Sequence, residues 1–280
     1  MRKITLIILL AGFTFSMQAQ SVARKAMSRR LDSIVSIMSR IPQMDDDSVR
    51  IAMGDKTADY MQEIMMHPSS WGFDLSSLKQ YMSILEAPDK SFRIITWGIP
   101  LISGDYKYYG FIQRYDKKKK TAFFYRLYDK SDDMENPERP VLTPENWYGC
   151  IYYDIKELKV KRKKVYVLLG TDPANDLVNR KIVEVLYFTG GKPRFGADLP
   201  DEKGRIVRRL IFTYNNEAQM VLRWDDNLGM IVFDHLSPSK PKFKGLYQYY
   251  GPDFSYDGLK LERGKWIYVK DIDVRNPKKD

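Results

Sequence analysis

Two neighbouring apolar runs constrain the fold of this 280-residue chain more than any other feature of its sequence. They are residues 165–169 (VYVLL) and 182–188 (IVEVLYF), and a turn-forming stretch at 170–177 separates them. β-Branched and aromatic residues bounded by glycine, proline, aspartate and asparagine are typical of paired strands, because these side chains suit a pleated surface. The sequence therefore predicts a strand pair in the middle of an antiparallel sheet.

The same pattern, β-branched and aromatic runs bounded by turn-forming residues, continues from residue 91 to the C-terminus. Predicted strands lie at 92–99, 106–115, 121–128, 147–154, 165–169, 181–188, 205–214, 218–224, 230–235, 246–250, 259–261 and 266–269. Short turns connect most of them, which predicts a meander, and the acidic, proline-bearing insertion at 130–146 predicts a surface loop. The expected fold class is α+β, predominantly β, with an antiparallel β domain over 91–280. An open barrel, a sandwich and a propeller-like array all fit this pattern.

Residues 1–19 have the three parts of a secretory signal peptide. Arg2 and Lys3 precede an apolar run at 4–15, and a polar stretch ending near Ala19 follows. The run is shorter than the roughly 20 residues that span a bilayer, and no later segment is apolar enough to cross one. We therefore expect cleavage after Ala19 and an exported protein, periplasmic or extracellular, without a transmembrane segment.

Residues 20–90 are predicted to be helical. In the first helix, at 21–41, the apolar stripe consists of Met27, Leu31, Ile34, Met38 and Ile41. Its other face is basic, with Arg24, Lys25, Arg29, Arg30 and Arg40. Two interpretations are open: the stripe packs on the protein, or the helix makes weak contact with an anionic membrane surface.

Two further helices are predicted before the β domain begins. The aspartates at 45–47 are cap candidates for a second helix that runs to about Met66, where Pro68 stops it. A third, short helix is predicted from one apolar face, formed by Leu75, Leu78, Met82 and Leu85.

Charge and cysteine content limit the classes of partner. The formal net charge of +10 favours anionic surfaces, but the chain has no nucleic-acid-binding motif, and an exported protein is not expected to meet nucleic acid. Cys150 is the only cysteine, so no disulfide can form within the chain. Because it lies in a strand-like run, we expect its thiol to be buried.

The ionisable residues give little support for catalysis. Asp234, His235 and Ser237 are the residue types of a hydrolytic triad, but neighbours on a strand point to opposite faces, so Asp234 cannot readily orient His235. No ligand spacing predicts a metal site, and no glycine pattern predicts a nucleotide, so we expect neither metal nor cofactor. A periplasmic hydrolase that uses carboxylates or His235 stays open as the alternative function.

The aromatic segment at 247–256 (YQYYGPDFSY) is the most distinctive stretch. Its candidate binding residues are Tyr247, Tyr249, Tyr250, Asp253 and Tyr256. Flat rings beside polar groups suit a carbohydrate platform, although such rings also plug the end of a sheet. Alternation along an extended stretch predicts that Phe254 is buried and that Tyr247 or Tyr249 is exposed.

Four stretches resemble a family of uncharacterised exported proteins of Bacteroidetes. They are NRKIVEVL at 179–186, GKPRFGA at 191–197, MIVFDHL at 230–236 and YYGPDFSYDG at 249–258. The resemblance extends over 91–276 and implies export, but no activity or catalytic residue comes with it. The sequence as a whole predicts an exported, soluble envelope protein, a non-enzymatic binding or scaffold module for a partner protein or glycan.

Overall fold

A computed structural model describes residues 21–116, 118–119 and 121–273, so the predicted signal peptide at 1–19 lies outside the described residues. The chain divides into two compact units. One comprises Met1–Tyr81 with Gln113–Phe124, and the other comprises Met82–Ile112 with Tyr125–Asp280. The predicted boundary between a helical region and a β domain at residue 90 stays a prediction.

The predicted first helix is present as α1, residues 21–38. Most of its apolar stripe is buried: Met27, Ile34, Met38 and the following Ile41. On the basic face, Arg30 Nε lies 2.5 Å from Glu63 Oε2, and the guanidinium lies 4.5 Å from the centre of the Tyr60 ring. The stripe therefore packs inward, and contact of the basic face with a membrane stays a prediction.

Helix α2, Asp47–Met66, begins and ends where the sequence indicates. The Asp46 carboxylate accepts hydrogen bonds from the amides of Ser48 and Val49 at 2.7 and 3.2 Å. A cap of this kind stabilises a helix, because it satisfies amides that have no partner within the helix. Among the described helices, none is both long and apolar enough to cross a membrane.

The predicted third helix is wrong. Only Ser76–Leu78 form a short 3₁₀ turn, where the Asp74 carboxylate accepts a hydrogen bond from the Ser76 amide at 2.9 Å. Ser83–Glu86 then form a strand whose Leu85 is paired with Ile94. The apolar spacing was helical, but the ladder of hydrogen bonds to a strand further along the chain determines the conformation.

The strands, in chain order, are β1 Ser83–Glu86, β2 Phe92–Pro100, β3 Tyr106–Asp116, β4 Thr121–Tyr128, β5 Ile151–Val160, β6 Lys163–Asp172, β7 Val178–Thr189, β8 Lys192–Phe195, β9 Leu199–Pro200, β10 Ile206–Val207, β11 Arg209–Asn215, β12 Leu222–Asp225, β13 Met230–Pro238, β14 Tyr250–Glu262 and β15 Lys265–Val269. Besides the turn at Ser76–Leu78, 3₁₀ turns lie at Ile41–Gln43, Ser70–Gly72, Ser131–Asp133, Pro144–Asn146, Pro241–Phe243 and Tyr247–Tyr249.

Three antiparallel sheets carry most of these strands. Their orders are β1-β2-β3-β4, β11-β7-β6-β5 with β8 beside β7, and β12-β13-β14-β15, and β9 and β10 form a separate ribbon. No closed barrel forms within the described residues. The predicted class, α+β and predominantly β, is confirmed.

The β5–β7 sheet is buried on both faces. On one face, Tyr166 and Leu168 of β6 share a core with Phe92 of β2. On the other face, Val167 shares a second core with Phe233 of β13. Two buried faces explain why residues 165–169 are apolar without alternation, since each fully buried side chain of this kind contributes roughly 1.5–3 kcal/mol. The predicted central position of this strand pair is confirmed.

Parts of three predicted strands have a different structure. The predicted strand at 218–224 begins only at Leu222. Residues 147–150 precede β5 and are not in a strand, and the predicted strand at 246–250 is mostly the turn Tyr247–Tyr249. Cys150 is fully buried, as expected, and burial raises the pKa of its thiol well above its usual value. A buried, protonated thiol has no nucleophilic role.

Candidate binding cavity

The insertion between β4 and β5 is a loop fixed to the rest of its unit, and it builds one wall of a cavity. The Asp129 carboxylate accepts hydrogen bonds from the amides of Ser131 and Gly149 at 3.0 and 3.2 Å, so it joins the two ends of the loop. Further along, Leu142 and Phe195 exchange backbone hydrogen bonds of 2.8 and 2.9 Å. These contacts give the loop a defined shape at the surface.

A buried ion pair holds the middle of this loop. Glu184 on β7 and Arg209 on β11 are direct cross-strand partners, and neither side chain has any exposure to solvent. Arg209 Nε donates to Glu184 Oε1 at 2.6 Å, and its Nη2 donates to the carbonyl of Pro140 at 3.1 Å. The same guanidinium also donates to the carbonyl of Pro137. Arg209 therefore ties the loop to the central sheet.

A polar network centred on the buried Asp172 holds two of the side chains that line the cavity. Tyr108 and Tyr148 donate their hydroxyl hydrogens to the two carboxylate oxygens at 2.5 and 3.3 Å. Arg180 Nη1 donates to Asp172 Oδ2 at 2.9 Å, and one third of the Arg180 side chain stays exposed. Burial raises the pKa of Asp172 in spite of these donors. The network fixes Arg180 and Tyr148, both of which line the cavity.

The cavity has a volume of about 800 Å³. Its walls are residues 131–132, 134–139 and 205–208, and Tyr148, Arg180, Ile211, Thr213 and Tyr247 complete the lining. Most of these side chains are charged or polar. Three of the four lining arginines have a carboxylate partner: Arg180 has Asp172, Arg205 has Asp201, and Arg208 has Asp198. The cavity thus offers many hydrogen-bond donors whose charge is largely compensated.

Glu138 adds an acceptor inside the cavity. It is half-buried, and burial raises the pKa of its carboxyl group. Its Oε1 accepts a hydrogen bond from the Ile211 amide at 3.4 Å, while its backbone carbonyl accepts one from the Arg208 amide at 2.7 Å. The Glu138 carboxyl group lies among arginines in the lining, so hydrogen-bond acceptors and donors are both available in the cavity.

The candidate residues of the aromatic segment differ in their surroundings. Tyr247 lines the cavity and is 51% exposed. Tyr249 stacks on Phe243 with ring centres 4.1 Å apart, and Tyr250, 5.2 Å from Tyr247 between ring centres, accepts a hydrogen bond from the Gly245 amide. The exposure predicted for Tyr247 or Tyr249 is confirmed for both.

The predicted burial of Phe254 is wrong, because this side chain is 95% exposed. Its φ of +70° places it in the left-handed region, at an irregularity of the β13–β14 pairing, so simple strand alternation fails there. Asp253 lies beside His235, and Tyr256 is paired with Asp234 in the sheet. Of the five candidate residues, Tyr247 alone is in the cavity lining among the described residues, and the binding role of the other four stays a prediction.

His235 is oriented by a carboxylate that the sequence analysis did not identify. Its Nδ1 lies 2.7 Å from Oδ2 of the buried Asp257, which also accepts a hydrogen bond from the Tyr268 hydroxyl at 2.7 Å. Asp234 instead accepts a hydrogen bond from the Val221 amide, so it does not orient His235. On the other side of the ring, Nε2 lies 3.9 Å from Asp253 Oδ2.

The two carboxylates determine the ionisation of His235. Burial lowers the pKa of the imidazole, but the hydrogen bond with Asp257 and the charges of Asp257 and Asp253 outweigh it, so the pKa lies above its usual value. A triad requires a hydroxyl or thiol at Nε2, and the group placed there is a carboxylate. Ser255 donates its hydroxyl hydrogen to Asp253 at 2.7 Å.

Within the described part of the chain, no group of three or more histidine, cysteine and carboxylate side chains is placed to hold a metal ion. No protein-family model, curated protein or solved structure matches this chain. The resemblance to exported Bacteroidetes proteins stays a prediction.

Proposed function

We propose that this protein is an exported, non-enzymatic binding module that holds a glycan in the cavity beside the β4–β5 loop. The observation that carries the proposal is the lining: Arg180 and Tyr148 are fixed by Asp172, Glu138 supplies an acceptor, and Tyr247 supplies an exposed ring. The cavity's volume of about 800 Å³ lies within the range of ligand sites in proteins.

The polarity of the lining selects the class of ligand. Small-molecule sites are usually mostly apolar, with a few polar groups, whereas here charged and polar side chains predominate. A ligand must replace the water that these groups bind, because an unpaired buried polar group costs about 1–3 kcal/mol. A molecule with many hydroxyl groups, such as an oligosaccharide, meets that requirement.

The charge balance favours a neutral or weakly charged glycan over a polyanion. Arg180, Arg205 and Arg208 already have carboxylate partners, and the acids Asp132 and Glu138 also line the cavity. A strongly anionic ligand would meet these carboxylates, so repulsion would offset part of the attraction. Paired arginines still have N–H groups to donate to hydroxyl oxygens.

Tyr247 and Tyr249 provide a matched test. Both are exposed tyrosines of one short turn, but only Tyr247 lines the cavity. We expect wild-type protein and Tyr249→Ala to bind the same oligosaccharides on an array of neutral and acidic glycans, while Tyr247→Ala loses at least tenfold in affinity, since an aromatic anchor is worth more than about 1.4 kcal/mol. Equal loss by both variants, or no glycan bound by the wild type, would contradict the proposal.

Hydrolysis is the second candidate function, because His235 has a buried carboxylate partner in Asp257. If the protein is a hydrolase, incubation with bound oligosaccharides or simple esters yields products that His235→Ala does not form. Mass spectrometry of the reaction mixture distinguishes the two functions. The binding proposal predicts that every glycan is recovered intact.

Export belongs to the same proposal and is supported by the sequence of residues 1–19. A periplasmic or extracellular location places the cavity among envelope and extracellular glycans. N-terminal sequencing of protein from the producing cell is expected to begin at Gln20. A retained apolar run at 4–15 would contradict this part of the proposal.

A further inference from the structure

The tip between β13 and β14 carries lysines that belong neither to the cavity lining nor to the core. This tip, residues 239–249 (SKPKFKGLYQY), contains three lysines and no acidic residue. Lys240, Lys242 and Lys244 are exposed, and none of them takes part in an ion pair with another described residue.

Apolar side chains are exposed on the same tip. Leu246 is 46% exposed, Tyr247 51% and Tyr249 41%, and Lys242 Nζ lies 5.0 Å from the centre of the Phe243 ring. Tyrosine rings and lysine stems are both amphipathic, with an apolar body and a polar end. Such side chains are favoured where a hydrocarbon layer meets charged headgroups.

The tip is held in one shape before any partner binds. Pro238 and Tyr250 are paired at its base, and the Ser239 amide donates to the Tyr249 carbonyl at 2.9 Å. The Asn215 side chain donates to the Gln248 carbonyl at 2.6 Å. Because these contacts already order the backbone, binding at the tip costs little further conformational entropy.

We propose that the β13–β14 tip is a docking surface for an anionic phospholipid bilayer. The lysines attract the phosphate headgroups, while Leu246 and the ring of Tyr249, which does not line the cavity, enter the interfacial region. Charge complementarity selects this occupant, since three exposed lysines without an ion-pair partner among the described residues lie on the same tip as the exposed apolar side chains. The proposal goes beyond glycan binding and does not depend on it.

The test measures sedimentation of the protein with vesicles of phosphatidylglycerol and phosphatidylcholine in equal parts, and with phosphatidylcholine alone. Wild-type protein is expected to bind the anionic vesicles. The triple variant Lys240→Glu, Lys242→Glu, Lys244→Glu is expected to bind at least about 100-fold more weakly, because the loss of each lysine near such a surface lowers the binding constant roughly fivefold and the new glutamates add repulsion. Leu246→Ser tests the apolar contribution, and its expected loss is about threefold.

The matched control reverses the same number of charges at another tip, by Lys159→Glu, Lys161→Glu and Lys163→Glu at the β5–β6 turn. All other basic surfaces, including α1, are unchanged in both variants. The control is expected to bind within about threefold of the wild type at low ionic strength. Equal weakening of the two variants, equal binding to both vesicle types, or binding of an acidic peptide without binding of vesicles would overturn the proposal. All variants are expected to keep the wild-type Tm, because the changed side chains are exposed.

Discussion

Glu184→Gln isolates the charge that balances Arg209 beneath the cavity wall. The substitution keeps the size of the side chain. The Tyr152 hydroxyl, which donates to Glu184 Oε2 at 2.5 Å, can still donate to the amide oxygen of glutamine. It removes the negative charge from a pair in which neither side chain has any solvent exposure. The Arg209 guanidinium then stays buried with carbonyl partners only.

The expected decrease in the free energy of unfolding follows from these contacts. Removal of one partner from a buried ion pair typically costs about 3–5 kcal/mol, because the other charge is left uncompensated. The carbonyls of Pro137 and Pro140 still accept from Arg209, which places the expected value near the lower end, about 3 kcal/mol. For a chain of this size, that corresponds to a decrease in Tm of roughly 6–12 °C.

Urea unfolding followed by tryptophan fluorescence measures this change, since Trp147 donates its indole N–H to the Tyr152 hydroxyl at 3.0 Å. Glu262→Gln is the control: its pair with Lys260 is exposed, so the expected change is below about 0.5 kcal/mol. Arg209→Gln in the Glu184→Gln background removes both charges, and the double variant is expected to lose less than the sum of the single losses. A loss below 1 kcal/mol for Glu184→Gln, or strict additivity, would refute the reasoning.

Two further predictions concern β13 and β14. Because the pKa of His235 is raised, the folded state binds the imidazole proton more tightly than the unfolded state does. The protonated imidazole therefore stabilises the fold fully below the unfolded pKa of 6.5, and this stabilisation is lost as pH rises through the folded pKa. The advantage of wild type over His235→Asn in urea unfolding is therefore expected to be larger at about pH 5.5 than at about pH 8.5, and the reverse order would disprove the assignment. Phe254→Gly is expected to raise the free energy of unfolding by about 1 kcal/mol, because glycine adopts a φ of +70° without the steric cost that phenylalanine has. The exposed ring makes no packing contribution that the substitution could remove. A lower Tm would show that the ring has a packing role.

Local chemistry made part of the fold predictable. Asp46 and Pro68 bracket α2, and the run at 165–169 marks a strand in the middle of a sheet. In these cases a helix cap, a helix-breaking proline or a β-branched run determines the conformation of the residues next to it. The false third helix shows the limit, because the pairing of Leu85 with Ile94 outweighed helical spacing.

The candidate site depends on contacts between residues far apart in the chain, which single-sequence reasoning does not give. Strand β11 pairs with β7 and not with β10, and this register alone brings Arg209 opposite Glu184. The β13–β14 register likewise determines that Asp257, not Asp234, orients His235. Tyr247 was found because its segment is aromatic, whereas Arg180 gave no local signal at all.

Hydrogen–deuterium exchange with and without the oligosaccharide that binds best on the array tests the central claim most directly. If the glycan occupies the cavity, peptides that cover residues 131–139 and 205–208 become protected, while peptides around His235 and Asp257 do not change. Protection around His235 and Asp257, with none in the β4–β5 loop, would contradict the account.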